Sequence, residues 1–241
     1  MIALQRIDYR VDGQGFTGWL ADGSRGGKAA GILVAHEGAG LTGHVKQRAQ
    51  SLAALGHVAF ALDLFGLPDF DLDRAKEVVR ALRADIPAFR RRVVTALDLL
   101  CGHANVDPDR LAGIGFCFGG TAMIELARSG APLAAVVGFH AGLTSGTIAD
   151  NRAIRAPMLI CLGDADPVVT VAQRETFARE MSEAGRDWQI QLYGGVGHSF
   201  TNREIDAWQL PGFAYDAVAD RRSWRAMLDL FDECGLGKEQ E

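Results

Sequence analysis

No two of the four cysteines, Cys101, Cys117, Cys161 and Cys234, form a C-x-x-C pair. That removes the usual sequence frame for structural zinc or dithiol exchange and leaves free thiols suited to a reducing compartment. No apolar run approaches the roughly 20 residues that a membrane span requires. The beginning of the chain, Met-Ile-Ala-Leu-Gln-Arg, lacks the basic and long apolar regions of a secretory signal, so the expected location is cytoplasmic. Positive charge is in short supply: a net charge of -5 gives no basic field for nucleic acid or anionic lipid, and neither is an expected partner. The densest basic cluster, Arg90-Arg91-Arg92, reads as a solvated helix face. His36-Glu37 followed by His44 is not H-E-x-x-H, so these histidines do not share a helical face and no metal is expected. With no repeat, low-complexity tract or Pro/Ser-rich linker, all 241 residues are expected to form one domain, enough chain to bury a substantial core.

What is present alternates between strand and helix. Leu4–Val11 and residues 16–21 read as an antiparallel hairpin turned by Asp12-Gly13-Gln14-Gly15. Ala29–Ala35 is continuously apolar, the mark of a strand covered on both faces of a parallel sheet. A helix over residues 44–55, ended by Gly56, precedes a buried strand over 57–62. A helical region from 72 to about 100 has N-cap candidates in Asp69 and Asp71 and an interruption at Pro87. Further strands are expected at 133–139, 158–162 and 188–193, and helices at 171–184 and 219–233. The pattern predicts an α/β fold, a mostly parallel doubly wound sheet flanked by helices, with the hairpin at one edge. Functional groups in such sheets gather at the carboxyl ends of the strands.

One stretch organises the rest. Residues 110–128 run as an apolar strand that breaks at Gly115-Phe116-Cys117-Phe118-Gly119 and restarts as a helix. This is the G-x-nucleophile-x-G form of a nucleophile elbow, with cysteine where serine is commoner. A cysteine at a helix N-terminus faces free N–H groups and the positive end of the dipole, which favours thiolate. Two later strand ends carry Gly163-Asp164-Ala165-Asp166-Pro167-Val168 and Gly194-Gly195-Val196-Gly197-His198-Ser199-Phe200. Nucleophile, acid and base therefore follow in the chain order of an α/β-hydrolase triad. His198 would move the proton and Asp166 would orient the imidazole, with Asp164 the rival acid; Pro167 fixes the turn beside Asp166 and favours it. Oxyanion donors are expected in the amides of Phe118 and, within His36-Glu37-Gly38-Ala39-Gly40, of Gly38.

The blocks H-E-G, G-F-C-F-G-G, G-D-A-D-P-V and G-H-S-F, carrying Glu37, Cys117, Asp166 and His198, together resemble the dienelactone hydrolase family (carboxymethylenebutenolidases) over almost the whole chain. The resemblance implies hydrolysis of a small enol lactone or ester through an acyl-cysteine intermediate, with no cofactor and no metal. It also implies that Glu37 interacts with the resting thiol and helps it ionise. Family members acting on dienelactone bind the substrate carboxylate with arginines, one of them four residues after the catalytic histidine; Asn202 holds that place here, with Arg203 beside it. Arg203, His140 and Tyr193 are candidate substrate-binding residues, Trp208, Phe213 and Tyr215 candidate pocket aromatics, and the chain a monomer or small homo-oligomer. A competing expectation is a nucleotide-dependent oxidoreductase: Gly38-Ala-Gly40-Leu-Thr-Gly43 is a G-x-G-x-x-G after a buried strand, with Asp63 about 20 residues on.

Overall fold

The computed structural model of the chain describes residues 2–67, 69, 71–144 and 146–237. Strand β1 (Leu4–Val11) turns at Asp12-Gly13 into β2 (Gln14–Asp22). Both turn residues have positive φ, 47° and 83°, the mirror-image turn that matches strand twist. The turn is thus two residues long, tighter than the four-residue turn expected. β3 (Ala29–Ala35) and β4 (Val58–Leu62) are buried throughout and flank α1 (Gly43–Ala54).

The long helical region is two helices, α2 (Leu72–Ala84) and α3 (Ile86–Cys101). The break falls at Asp85 rather than at the proline. Asp85 accepts the Ala88 amide as N-cap, and Pro87 sits in the first turn of α3, where its missing N–H costs nothing. Asp71 caps α2 by accepting the Arg74 amide. Next come β5 (Val106–Phe116), α4 (Phe118–Arg128), β6 (Ala135–Phe139), α5 (Ile148–Ala153) and β7 (Met158–Gly163). The chain continues through α6 (Val171–Glu183), β8 (Trp188–Tyr193), a 3-10 turn (Arg203–Trp208) and α7 (Ala217–Glu233). No element was expected for α5 or the 3-10 turn; at six residues each, neither is long enough to show a period.

The strands form one sheet in the order β1-β2-β4-β3-β5-β6-β7-β8, parallel from β4 to β8 with the hairpin at one edge. This is the α/β-hydrolase arrangement. Alternate residues of each central strand enter two apolar layers. Leu33, Phe60 and Ile160 pack with α3 and α4, whereas Ile32, Ile114, Phe116 and Phe139 pack with α1 and α7. Helices on both faces explain why the central strands read as unbroken apolar runs. No helix among the described residues is long and apolar enough to cross a membrane.

Candidate active site

β5 lies between β3 and β6, and its carboxyl end stops at Cys117. This residue has φ 52° and ψ -114°, a conformation that costs about 1–3 kcal/mol for an L side chain. Neighbouring backbone holds it there: its amide donates to Phe139 O at 3.0 Å, and its carbonyl accepts from the Gly120 and Gly142 amides. Sequence explains how the turn closes. A Cβ on Gly115 would stand 2.0 Å from Gly119 O, and one on Gly119 would stand 2.3 Å from Ala35 O. No side chain fits either place. α4 therefore starts directly against β3 and presents Cys117, half-buried, at the rim.

His198 is wholly buried. Its own amide donates to Gly212 O at 2.8 Å and its carbonyl accepts from Ala214, so the segment past residue 209 pins it from outside. The Phe213 ring packs edge-on against the imidazole, 4.8 Å between centroids. Nδ1 donates to Asp166 Oδ2 at 2.7 Å. The other oxygen, Asp166 Oδ1, accepts the Val168 and Val169 amides at 2.7 and 3.0 Å, so both oxygens are committed and the carboxylate has one orientation. Asp164, by contrast, is exposed and paired with Arg174 at 3.3 Å. Burial drives the imidazole toward neutrality, but the neighbouring Cys117 sulfur and the Asp166 carboxylate outweigh it and hold His198 up at about 10. His198 Nε2 has no hydrogen-bond partner among the described residues, which leaves it open toward that sulfur.

Glu37 enters from the loop after β3. His36 sets that loop by donating Nδ1 to Glu37 O at 2.7 Å and accepting the Leu64 amide on Nε2 at 2.9 Å. The Glu37 carboxyl is buried; Oε2 accepts from Asn202 Nδ2 at 2.9 Å, while Oε1 has no partner within hydrogen-bonding distance among the described residues. Burial raises this carboxyl to about 7, against the Asn202 hydrogen bond and the charge of His198, which pull it down. His44 Nδ1 and His140 Nε2 each stand 3.7 Å from Oε1. Burial pushes His44 down to about 3 and His140 well below the ordinary range, so both rings are neutral.

The amides of Gly38 and Phe118 donate to no other group among the described residues. Phe118 is the first residue of α4, where an N–H has no partner within the helix. Gly38 lies in a turn closed by Gly40 N to Glu37 O at 3.0 Å.

The three candidate substrate-binding residues, Arg203, His140 and Tyr193, lie in different surroundings. Arg203 is exposed and stacks 4.2 Å over the Tyr215 ring. His140 lies behind the imidazole, edge-on to His198 at 5.2 Å and bonded to Thr201 Oγ1 at 2.9 Å, with no exposed surface. Tyr193 packs on Phe200 and donates its hydroxyl to Gln191 Oε1. Arg83, which nothing in the local sequence singles out, does reach the elbow. Its guanidinium carbon is 5.8 Å from the Phe118 ring centroid, and an Nη lies 3.6 Å from where a Cβ on Gly142 would stand. It has no ion pair among the described residues. His44 and Asn202 were also overlooked as partners of Glu37; the only local clue was the one-turn spacing of His44 and Arg48 on α1.

The G-x-G-x-x-G loop is no dinucleotide cradle. A Cβ on Gly43 would stand 2.6 Å from Glu204 Oε1, and Glu37 is buried just upstream, so two carboxyl groups occupy the approach to the α1 N-terminus. That is the wrong sign for a pyrophosphate.

The dienelactone hydrolase family model matches residues 16–235. A Bradyrhizobium protein named "Probable 2-oxo-3-(5-oxofuran-2-ylidene)propanoate lactonase" is 28% identical over 94% of this chain and 93% of its own length. An Aquifex aeolicus protein provisionally named carboxymethylenebutenolidase is 26% identical over 94% and 97%. Among solved structures, a dienelactone hydrolase-like promiscuous phosphotriesterase from metagenomic libraries superposes with a TM-score of 0.93 at 37% identity, covering 97% of this chain and 98% of the other.

Proposed function

The chain belongs to the dienelactone hydrolase family and is a hydrolase acting on ester bonds, and from that premise we propose that it opens a small lactone or ester through an acyl-cysteine, with Cys117, His198 and Asp166 as the triad. The observation that carries this reading is the Asp166–His198 bond of 2.7 Å behind an imidazole whose Nε2 has no hydrogen-bond partner among the described residues and whose proton affinity is raised by the Cys117 sulfur. The Cys117 proton resides on His198 Nε2 in the thiolate–imidazolium pair that the raised imidazole favours, and the thiolate attacks the carbonyl carbon. The oxyanion that forms accepts from the amides of Phe118 and Gly38. Collapse breaks the C–O bond, and His198 Nε2 returns the proton to the departing oxygen. Water then adds to the thioester with His198 as base, and collapse releases the acid and regenerates the thiol. Asp166 keeps the ring proton on Nδ1 throughout and stabilises the cation.

Glu37, by its family likeness, assists ionisation of the resting thiol; its burial beside His198 suits a carboxyl that changes protonation near neutrality. Arg83, beside Phe118 and with no ion pair among the described residues, is well placed to meet a substrate carboxylate. The 37% identity to a promiscuous phosphotriesterase adds phosphotriesters to the substrate panel.

The test is iodoacetamide labelling followed by digestion, run beside ester turnover. Cys117 labels ahead of Cys101, Cys161 and Cys234 in step with loss of activity. Full activity in Cys117→Ala, or equal labelling of all four, ends the reading.

A further inference from the structure

Two side chains that no step above uses converge on Glu37, each locked in one orientation by a separate contact. Asn202 caps the 3-10 turn: its Oδ1 accepts the Glu204 amide at 2.9 Å, so its Nδ2 necessarily faces Glu37 Oε2. His44 stands in the first turn of α1, edge-on to Phe116 at 4.7 Å. Arg48, one turn further on, donates Nε to His44 Nε2 at 3.3 Å and is held by Asp220 and by Thr201 O. A nitrogen that accepts cannot carry the proton of a neutral imidazole, so the His44 proton is on Nδ1. That N–H faces Glu37 Oε1 at 3.7 Å, and neither atom has another partner among the described residues.

Closing this gap to a hydrogen bond needs a side-chain shift of about 1 Å. We propose that Asn202 and His44 are positioning residues for Glu37: Asn202 anchors one carboxyl oxygen, and the His44 Nδ1–H captures the other whenever Glu37 is ionised. The proposal rests on the reading in which Glu37 assists thiol ionisation. The surrounding charges leave room for this pair to decide. The His198 charge and Arg48 favour the carboxylate and Glu204 opposes it. His140, on the side of β6, also stands 3.7 Å from Oε1, but its Nε2 is engaged by Thr201 Oγ1. Asp220 pairs with the Arg48 guanidinium and offsets its charge. The carboxyl thus meets its charge-stabilising hydrogen bonds from two neutral donors.

The experiment follows the rate of Cys117 alkylation by iodoacetamide, and kcat/KM for an ester, across pH in the full chain. Losing a donor to the ionised form raises a carboxyl's titration, so His44→Leu and Asn202→Leu each move the Glu37-dependent midpoint up by about one pH unit. His44→Asn, whose amide N–H stands near the place of Nδ1, brings the midpoint at least halfway back. An unchanged midpoint in His44→Leu, with a melting curve showing a folded protein, overturns the proposal. A shift that His44→Asn fails to reverse overturns it too, since that marks a packing role. Glu37→Gln separates the two levels. If it leaves the midpoint in place, the assumed part played by Glu37 fails; if it abolishes the midpoint while His44→Leu and Asn202→Leu do not move it, only the positioning role fails.

Discussion

Asp166 and His198, 32 residues apart in the chain, meet across 2.7 Å with the second carboxylate oxygen already held by two backbone amides. An asparagine in that place can present its NH2 to the ring and force the wrong tautomer. Asp166→Asn is therefore expected to lower kcat by about 10³–10⁴-fold, as loss of the orienting acid does in hydrolytic triads. Asp164→Asn, which removes only an exposed pair with Arg174, changes kcat by less than about twofold. Steady-state ester hydrolysis by both variants decides, and the reverse ranking would name Asp164 as the acid.

Gly119 sits where a methyl group would press on the Ala35 carbonyl at 2.3 Å. Gly119→Ala must separate α4 from β3 at the point where Cys117 is held. A loss of about 3 kcal/mol or more is expected, seen as a melting temperature lower by roughly 6–12 °C or as failure to fold. Gly38→Ala is the control, because nothing lies within 4 Å of its added Cβ. It should melt within about 2 °C of the parent protein.

Glu37 binds its proton more tightly folded than unfolded, with a pKa moved from 4.5 to about 7. The folded state therefore holds more protons between those values, and its stability falls as pH rises through that window. This contribution is complete below about pH 4.5 and gone above about pH 7, with a size of at most about 3 kcal/mol. Glu37→Gln, neutral at every pH, flattens the melting-temperature profile between pH 4.5 and 7. An unaltered slope in the variant assigns the pH dependence to other groups.

Arg83 lies against the ring of Phe118, whose amide is the proposed oxyanion donor. A substrate carboxylate held there makes a partly exposed charge-assisted pair, worth about 1–1.5 kcal/mol. Arg83→Ala is expected to raise KM about tenfold for lactones and esters bearing a free carboxylate, and to leave neutral esters unchanged. Kinetics on a matched pair of substrates reads this directly, and an equal effect on both would place Arg83 in packing rather than recognition.

Much of this architecture was legible from local pattern. Ala29–Ala35 and Trp188–Tyr193 have the bounds their composition suggests, because buried and edge strands differ in apolar content regardless of what lies beside them. The interrupted helix was visible too, although its break moved from Pro87 to Asp85, since a proline tolerated in a first turn does not itself end a helix. The short α5 was missed even though Thr147 and Asp150 form its capping box, a two-residue signal too brief to stand out.

By itself the sequence determined the order of strands and helices, the glycine spacing that lets the elbow close, and the chain order of thiol, carboxylate and imidazole. These are properties of neighbouring residues, set by backbone sterics and by hydrophobic period. Only the tertiary structure decided that Asp166 rather than Asp164 bonds to His198, that Arg83 and not Arg203 lies beside Phe118, and that Asn202 and His44 enclose Glu37. Glu37 and Asn202 lie 165 residues apart. Contacts of that kind depend on how separately formed strand ends converge on one rim, and no local period in the chain encodes which side chains meet there.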